Sequence, residues 1–258
     1  MFKNRTLPLL LAAGLLPGTL WAANDRFVGD WKLNPSRSKL TDVMKVESLG
    51  ANKYTFNFGG GPETIVVDGT DQTGHYGTTL SVASEGGTWK VIRKRNGQMI
   101  VSATWNLSED GSTLTDHFTS FTPNGSAYNL DYEYKRKAGG SGFEGEWVST
   151  SETVNSVVLM QVRPYERDGL SFIDPSVQVT RNVKFDGRDY PNLGPNVAPG
   201  STSSLRRVNE RTLEMTSKIN GQLLYTQQIE ISSDSNTLTM TRYIVGESET
   251  NIRVFERQ

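Results

Sequence analysis

The chain of 258 residues contains no cysteine and only two histidines. Without thiols there is no disulfide, no thiolate zinc site, no thiol nucleophile and no cysteine-linked lipid anchor. His75 and His117 stand far apart in the sequence, which argues against a multi-histidine metal centre. Neither sign of charge is in surplus: 27 Lys+Arg face 28 Asp+Glu. That balance argues against nucleic acid and against polybasic binding to membrane surfaces. Gly-x-Ser-x-Gly, the P-loop and the dinucleotide glycine fingerprint are missing as well. The expectation is no cofactor and no metal. Beyond the N-terminal residues, no apolar run is long enough to span a bilayer.

Residues 1–23 read as a secretory signal peptide. Lys3 and Arg5 make its basic start, and Leu7 to Leu20 is an apolar stretch interrupted by Gly14, Pro17 and Gly18. Ala22 and Ala23 offer small residues for cleavage. The apolar stretch is shorter than the ~20 residues of a spanning helix. The chain is therefore expected to be exported, periplasmic or secreted, with no transmembrane span after cleavage.

The sequence repeats itself. Phe27-x-Gly29-x-Trp31 recurs as Phe143-x-Gly145-x-Trp147, and Asp68-Gly69-x-Asp71 as Asp186-Gly187-x-Asp189. Residues 88–115 align without gaps on 212–239, with 10 identities in 28 positions. This is one duplicated unit. The Gly/Ser-rich stretch 138–142 reads as a flexible seam. The expected organisation is a signal peptide at 1–23, a first repeat at 24–139 and a second at 143–258, forming two separable units.

Each repeat alternates polar and apolar residues in short runs separated by Asp-Gly and Asn-Gly turns. Nine strands are expected in the first repeat, with one short helix at Ser38 to Val43. In the hairpin around Asn96-Gly97, Trp89 and Val91 must share a face with Val101, Ala103 and Trp105. A bare two-residue turn would put these rows on opposite faces. A three-residue loop with a bulge, pairing 91 with 101 and 89 with 103, restores them to one face. Closing such a meander removes its exposed edges. The expected fold class is all-β, as two tandem antiparallel up-and-down β-barrels.

Gly-x-Trp on the first strand, at Gly29/Trp31 and Gly145/Trp147, resembles the opening signature of the lipocalin (calycin) superfamily. In that family a late arginine packs over the tryptophan and closes the barrel base. The resemblance implies this role for Arg136 in the first repeat and Arg257 in the second, by cation–π contact. Trp31-Lys32-Leu33-Asn34, Asp186-Gly187-Arg188-Asp189-Tyr190-Pro191 and Thr237-Leu238-Thr239 are similar to exported bacterial lipocalin-like proteins of unassigned function. The second repeat departs from the pattern at Val148-Ser149-Thr150.

The inward rows nominate ligand-contacting residues: Tyr54, Phe56, Trp89, Val91, Val101, Trp105 and Tyr132 in the first repeat, Met215 and Tyr225 in the second. Arg93 shares the inner row near a barrel mouth, where it would hold the acidic head of an amphipathic ligand. By the same pattern the second repeat has the neutral interior. The paired aspartates at 68/71 and 186/189 suit turns better than calcium, which wants six or more oxygens. His117 suits a solvent-facing position, since its counterpart is Thr241. Three readings of function follow, in this order: binding of a small apolar or amphipathic molecule, a structural protein with filled barrels, and a hydratase- or cyclase-type enzyme using acidic residues in an apolar pocket. A buried, unpaired Asp or Glu facing a cavity would favour the enzyme.

Overall fold

The computed structural model describes residues 24–125, 127–246 and 249–258; the expected signal peptide lies outside them. The first half of the chain forms β1 (Gly29–Leu33), β2 (Val43–Gly50), β3 (Lys53–Asn57), β4 (Pro62–Val66), β5 (Gln72–Thr73), β6 (Thr79–Glu85), β7 (Thr88–Arg95), β8 (Gln98–Leu107), β9 (Thr113–Phe121) and β10 (Ala127–Ala138). The second half forms β11 (Gly145–Val154), β12 (Leu159–Tyr165), β13 (Gly169–Asp174), β14 (Val179–Lys184), β15 (Tyr190–Leu193), β16 (Ser201–Asn209), β17 (Thr212–Ile219), β18 (Gln222–Ile231), β19 (Thr237–Ile244) and β20 (Thr250–Arg257). The expected helix at Ser38 to Val43 is absent. A single 3-10 turn at Pro35–Arg37 and the start of β2 take its place.

These strands make two antiparallel ten-stranded sheets, one a closed barrel and the other barrel-like. In the barrel-like sheet, the gap beside the short β5 is bridged by a side chain. Gln72 Oε1 accepts from Val66 N at 2.8 Å and Gln72 Nε2 donates to Val66 O at 2.7 Å, imitating a ladder pair.

The sheets do not follow the repeat boundaries. β1, from the first repeat, pairs with β12 and β20 and completes the second barrel. β11, from the second repeat, pairs with β10 and β2 and completes the first. The repeats have exchanged their first strands reciprocally. Residues 138–142 are accordingly not a linker between barrels. They turn β10 into its neighbour β11 within the first barrel. The chain instead crosses between barrels at 34–42 and again at 155–158. The first crossing is anchored on both sides: Lys39 bridges Ile252, and Asp42 N donates to Ser149 Oγ at 2.7 Å.

The exchange also re-pairs the barrel-closing residues. Arg257 stacks on Trp31 at 4.3 Å and Arg136 on Trp147 at 4.2 Å, so each arginine covers the tryptophan of the other repeat. Arg257 donates to the carbonyls of Val28, Arg26 and Ser235, each at 2.7 Å. Arg136 binds Gly111 O, Gly142 O and Glu144 O in the same manner. The Gly-x-Trp glycine then has a direct cause. A Cβ on Gly29 would lie 2.4 Å from Arg257 Nη1, and one on Gly145 would lie 2.9 Å from Arg136 Nη1. Both tryptophans are fully buried, and each indole N–H donates to a carbonyl four residues earlier, Phe27 O and Phe143 O.

The hairpin at 96–97 reaches the expected outcome by another route. Asn96 (φ 51°) and Gly97 (φ 77°) form a two-residue turn closed by Arg95 and Gln98. A bulge at Ile100 then shifts the register, so Val91 faces Ala103 and Trp89 faces Trp105, rather than 101 and 103. The second repeat repeats the device with a bulge at Leu224, which puts Leu213 opposite Ile229 and Met215 opposite Gln227. The extra residue places both apolar rows on the inner face.

Candidate functional site

Each barrel has an apolar core with a cavity set against it. In the first barrel the core is an aromatic plug. Trp89 stacks on Phe143 at 4.3 Å, with Phe56 and Tyr54 against its other sides. Tyr54, Phe56 and Trp89 belong to this plug. Beside it opens a cavity of about 250 Å3 lined by Asp42, Met44, Phe58, Leu80, Val91, Arg93, Val101, Ala103, Trp105, Asp116, Phe118, Tyr132 and Tyr134. Of the residues nominated from sequence, Val91, Arg93, Val101, Trp105 and Tyr132 therefore share one cavity.

Arg93 is not free to take an acidic head. It donates to both carboxylate oxygens of Glu63, at 2.9 and 2.5 Å, and to Thr78 Oγ1 at 2.9 Å. Glu63 is itself buried and also accepts from His75 N at 2.5 Å. Burial alone would raise the Glu63 carboxyl, but Arg93 and the His75 N–H outweigh it and hold it below the usual range. The pair is internally neutral.

The chemistry of this cavity lies in two carboxyl groups that the sequence reading overlooked. Asp116 is on β9 between Leu114 and Phe118, directly opposite Trp105 on β8 and Tyr132 on β10. It is 6% exposed, and its Oδ1 has no hydrogen-bond partner. The Trp105 indole N–H is the neighbouring donor, but it too completes no hydrogen bond by distance and angle. Burial pushes the Asp116 carboxyl up to about 7, and the nearby Asp42 carboxylate adds to the shift. Asp42 comes from the crossing segment and accepts from Tyr134 Oη at 2.6 Å. Burial raises it as well, against the lowering effect of that hydrogen bond. Desolvation and the neighbouring carboxylates push Tyr132 and Tyr134 above the ordinary phenol value. The result is an aromatic-walled chamber holding a carboxylic acid that still carries a proton near neutral pH.

One signal for Asp116 was present in the sequence: a charge on the inward row between Leu114 and Phe118. Asp42 has no such signal, because it sits in a segment without periodicity. His117, on the outer row, is exposed and contacts Asp131 Oδ1 through Nδ1 at 2.6 Å.

The second barrel encloses about 120 Å3, lined mainly by Met160, Phe172, Met215, Met240 and Phe255 on the apolar side, with Asp174, Arg181, Tyr225, Gln227, Arg242 and Arg253 on the polar side. Met215 and Tyr225, nominated from sequence, both line it. The expected neutral interior is overturned by three arginines. Arg242 stacks on Tyr225 at 4.3 Å and makes only long contacts, 3.4 Å, to Gln227 Oε1.

The aspartate turns serve local structure. Asp68 accepts from Thr70 N at 2.8 Å, and Asp186 accepts from Arg188 N at 3.0 Å. Asp71 pairs with Lys94 and Asp189 with Lys218, the same contact in both repeats. Among the described residues no group of three or more Asp, Glu or His is placed to hold a metal ion, and no helix is long and apolar enough to cross a membrane.

No family model and no curated protein matches the chain. Among solved structures, a crystal structure of a Lactobacillus plantarum protein aligns over 85% of this chain and 96% of its own, at 8% identity and a TM-score of 0.16.

Proposed function

We propose that the protein binds a small, mainly apolar molecule inside the first barrel. The supporting observation is the 250 Å3 cavity, walled by Phe58, Val91, Val101, Trp105, Phe118 and Tyr132. Ligand pockets usually start at ~300 Å3, so the ligand is small, of the order of one or two rings. It need not be anionic, because Arg93 is already paired with Glu63. Asp116 and the Trp105 N–H are the unsatisfied polar groups and would orient it. This reading agrees with the lipocalin-like motifs of the sequence and with residues 1–23 as an export signal, which would place binding outside the cytoplasm. Titration with 1-naphthol, followed by quenching of tryptophan fluorescence, tests it. Saturable quenching is expected, and Val101→Trp, which fills the cavity, should abolish it. Absence of saturable quenching in the wild type would refute the reading.

A second reading is favoured by Asp116 specifically. A protonated carboxyl in an aromatic-walled chamber can deliver a proton to a carbon–carbon double bond, with the aromatic faces stabilising the cation formed. Water or an internal hydroxyl would then add to the cation and give up its proton to the Asp116 carboxylate, completing a hydration or cyclisation and restoring the acid. Incubating a small alkenyl alcohol with the protein in D2O should place deuterium on carbon, and Asp116→Asn should stop this without preventing 1-naphthol binding.

A further inference from the structure

The duplication allows the two cavities to be compared position by position, because the ladders are equivalent. Phe56 faces Glu63 in the first barrel, and Phe172 faces Arg181 in the second. Asp116 faces Tyr132, and Met240 faces Arg253. Leu130 faces Phe118, and Asn251 faces Arg242. Arg93 faces Val101, and Ser217 faces Tyr225. Three positions that are acidic or aromatic in the first barrel are thus arginine in the second. The buried ion pair of the first barrel is also dismantled. Its glutamate position becomes Arg181, and its arginine position becomes Ser217.

The charge left behind is compensated only in part: three guanidinium groups line a cavity in which Asp174 is the one carboxyl among the lining residues. Arg181, Arg242 and Arg253 form no ion pair among the described residues, and the buried Nε atoms of Arg181 and Arg253 have no hydrogen-bond partner. Asp174 lines the same cavity; its carboxyl accepts from Ser176 N at 3.0 Å and attracts Arg181 and Arg253 without forming an ion pair with either. Glu152, on β11 of the other barrel, is the remaining acid near Arg253; burial pushes its carboxyl up to about 7. The arginines act on the phenol they surround. Burial would raise Tyr225, yet the Arg242 and Arg181 charges bring it down to about 8. Arg242, desolvated and beside two like charges, is lowered to about 10. Gathering three half-buried guanidinium groups without an ion-pair partner is unfavourable unless an anion joins them.

We propose that the second barrel is an anion site, in which Arg181, Arg242 and Arg253 together bind a small oxyanion, a carboxylate or phosphate-type group. The volume of about 120 Å3 admits such a group with at most a short hydrocarbon tail. Planar guanidinium forks suit paired oxygens. Phe172, Met160 and Met215 supply an apolar floor on which a short hydrocarbon tail could rest. This inference is independent of the first-barrel reading: it uses a different cavity, and either can fail without the other.

Calorimetric titration of the whole protein at fixed ionic strength, with inorganic phosphate and with hexanoate, is the test. One saturable site is expected for at least one of these anions. Tighter phosphate binding would identify a compact oxyanion, and tighter hexanoate binding the head of an apolar acid. Arg242→Met and Arg253→Met should each weaken binding at least tenfold. Arg188→Gln, which removes an 84% exposed charge, should leave it unchanged. Bound anion should also move the Tyr225 phenol titration, read by ultraviolet difference absorbance, to higher pH. If Arg242→Met fails to fold, Arg181→Met and the wild-type phenol titration carry the same decision. No saturable binding of either anion by the wild type, binding that survives the arginine substitutions, or binding without a phenol shift would each overturn the proposal.

Discussion

At the scale of single residues, two positions show the physical chemistry most directly. Gly29 is glycine because a guanidinium occupies the space of its side chain. Gly29→Ala must push Arg257 off Trp31 or distort β1, at a cost on the order of 1–3 kcal/mol for overpacking. Chemical denaturation of the variant would measure it. Asp116 gives a pH signature. In the unfolded chain its carboxyl ionises near the ordinary aspartate value of 3.8, and in the folded barrel at about 7. Between those pH values the folded state holds the proton and the unfolded state has lost it, so stability falls as pH rises and levels off above 7. The interval corresponds to roughly 4 kcal/mol. Asp116→Asn should therefore match the wild type in stability near pH 4 and exceed it by a few kcal/mol at pH 8, as urea denaturation at the two pH values would show. A wild type whose stability is flat over that interval would mean the carboxyl is better solvated than its surroundings imply.

At the scale of elements, the strands were legible because turn chemistry and alternation agree, as at Asn96-Gly97 and Asp110-Gly111. The need to bury Trp89, Val91, Ala103 and Trp105 together was legible too. The bulge that achieves it was not placed correctly, since a loop bulge and a strand bulge restore the same parity. Ten strands per barrel were not legible, because β5 is only two residues long and relies on the Gln72 side chain. Which barrel a first strand joins was invisible in principle. Gly29-x-Trp31 and Gly145-x-Trp147 carry the same signals, and the choice is made by the length and path of the segments 34–42 and 155–158. The aromatic rows pointed to the first cavity, but the three arginines of the second were not legible, because each interrupts the apolar periodicity that marks an inward row. The exchange makes a prediction at this scale. Trp31→Ala should cost about 3–5 kcal/mol, as for other buried tryptophans, and the loss should fall on the second barrel. Hydrogen exchange should accelerate in 159–257 and leave 43–138 protected; Trp147→Ala should give the converse pattern.

At the scale of the molecule, the two barrels are bound by more than proximity. Tyr128 and Val154, on β10 and β11, pack against the core of the second barrel. The loop beyond β15 reaches back, with Asn196 Nδ2 donating to Phe121 O at 2.7 Å and Val197 O accepting from Arg95. A protease site placed at 139–142 should consequently yield two fragments that stay together in gel filtration and separate only in denaturant, since each fragment contributes a strand inside the other's barrel. Fragments that part under native conditions would show that the exchange is weakly held. The same strand exchange sets a timetable for a chain emerging from the ribosome. β1 appears early, yet the Val28 carbonyl just before it waits for Arg257, 229 residues downstream. Until then Trp31 has neither its cation nor its second neighbouring strand, and β2, which also emerges early, waits for β11. Neither barrel can therefore be sealed while its own repeat is the sole part made. A chain interrupted before β20 would leave an open-edged second sheet, the kind of surface that pairs with other chains, so premature termination here should lead to aggregation rather than to a smaller working barrel.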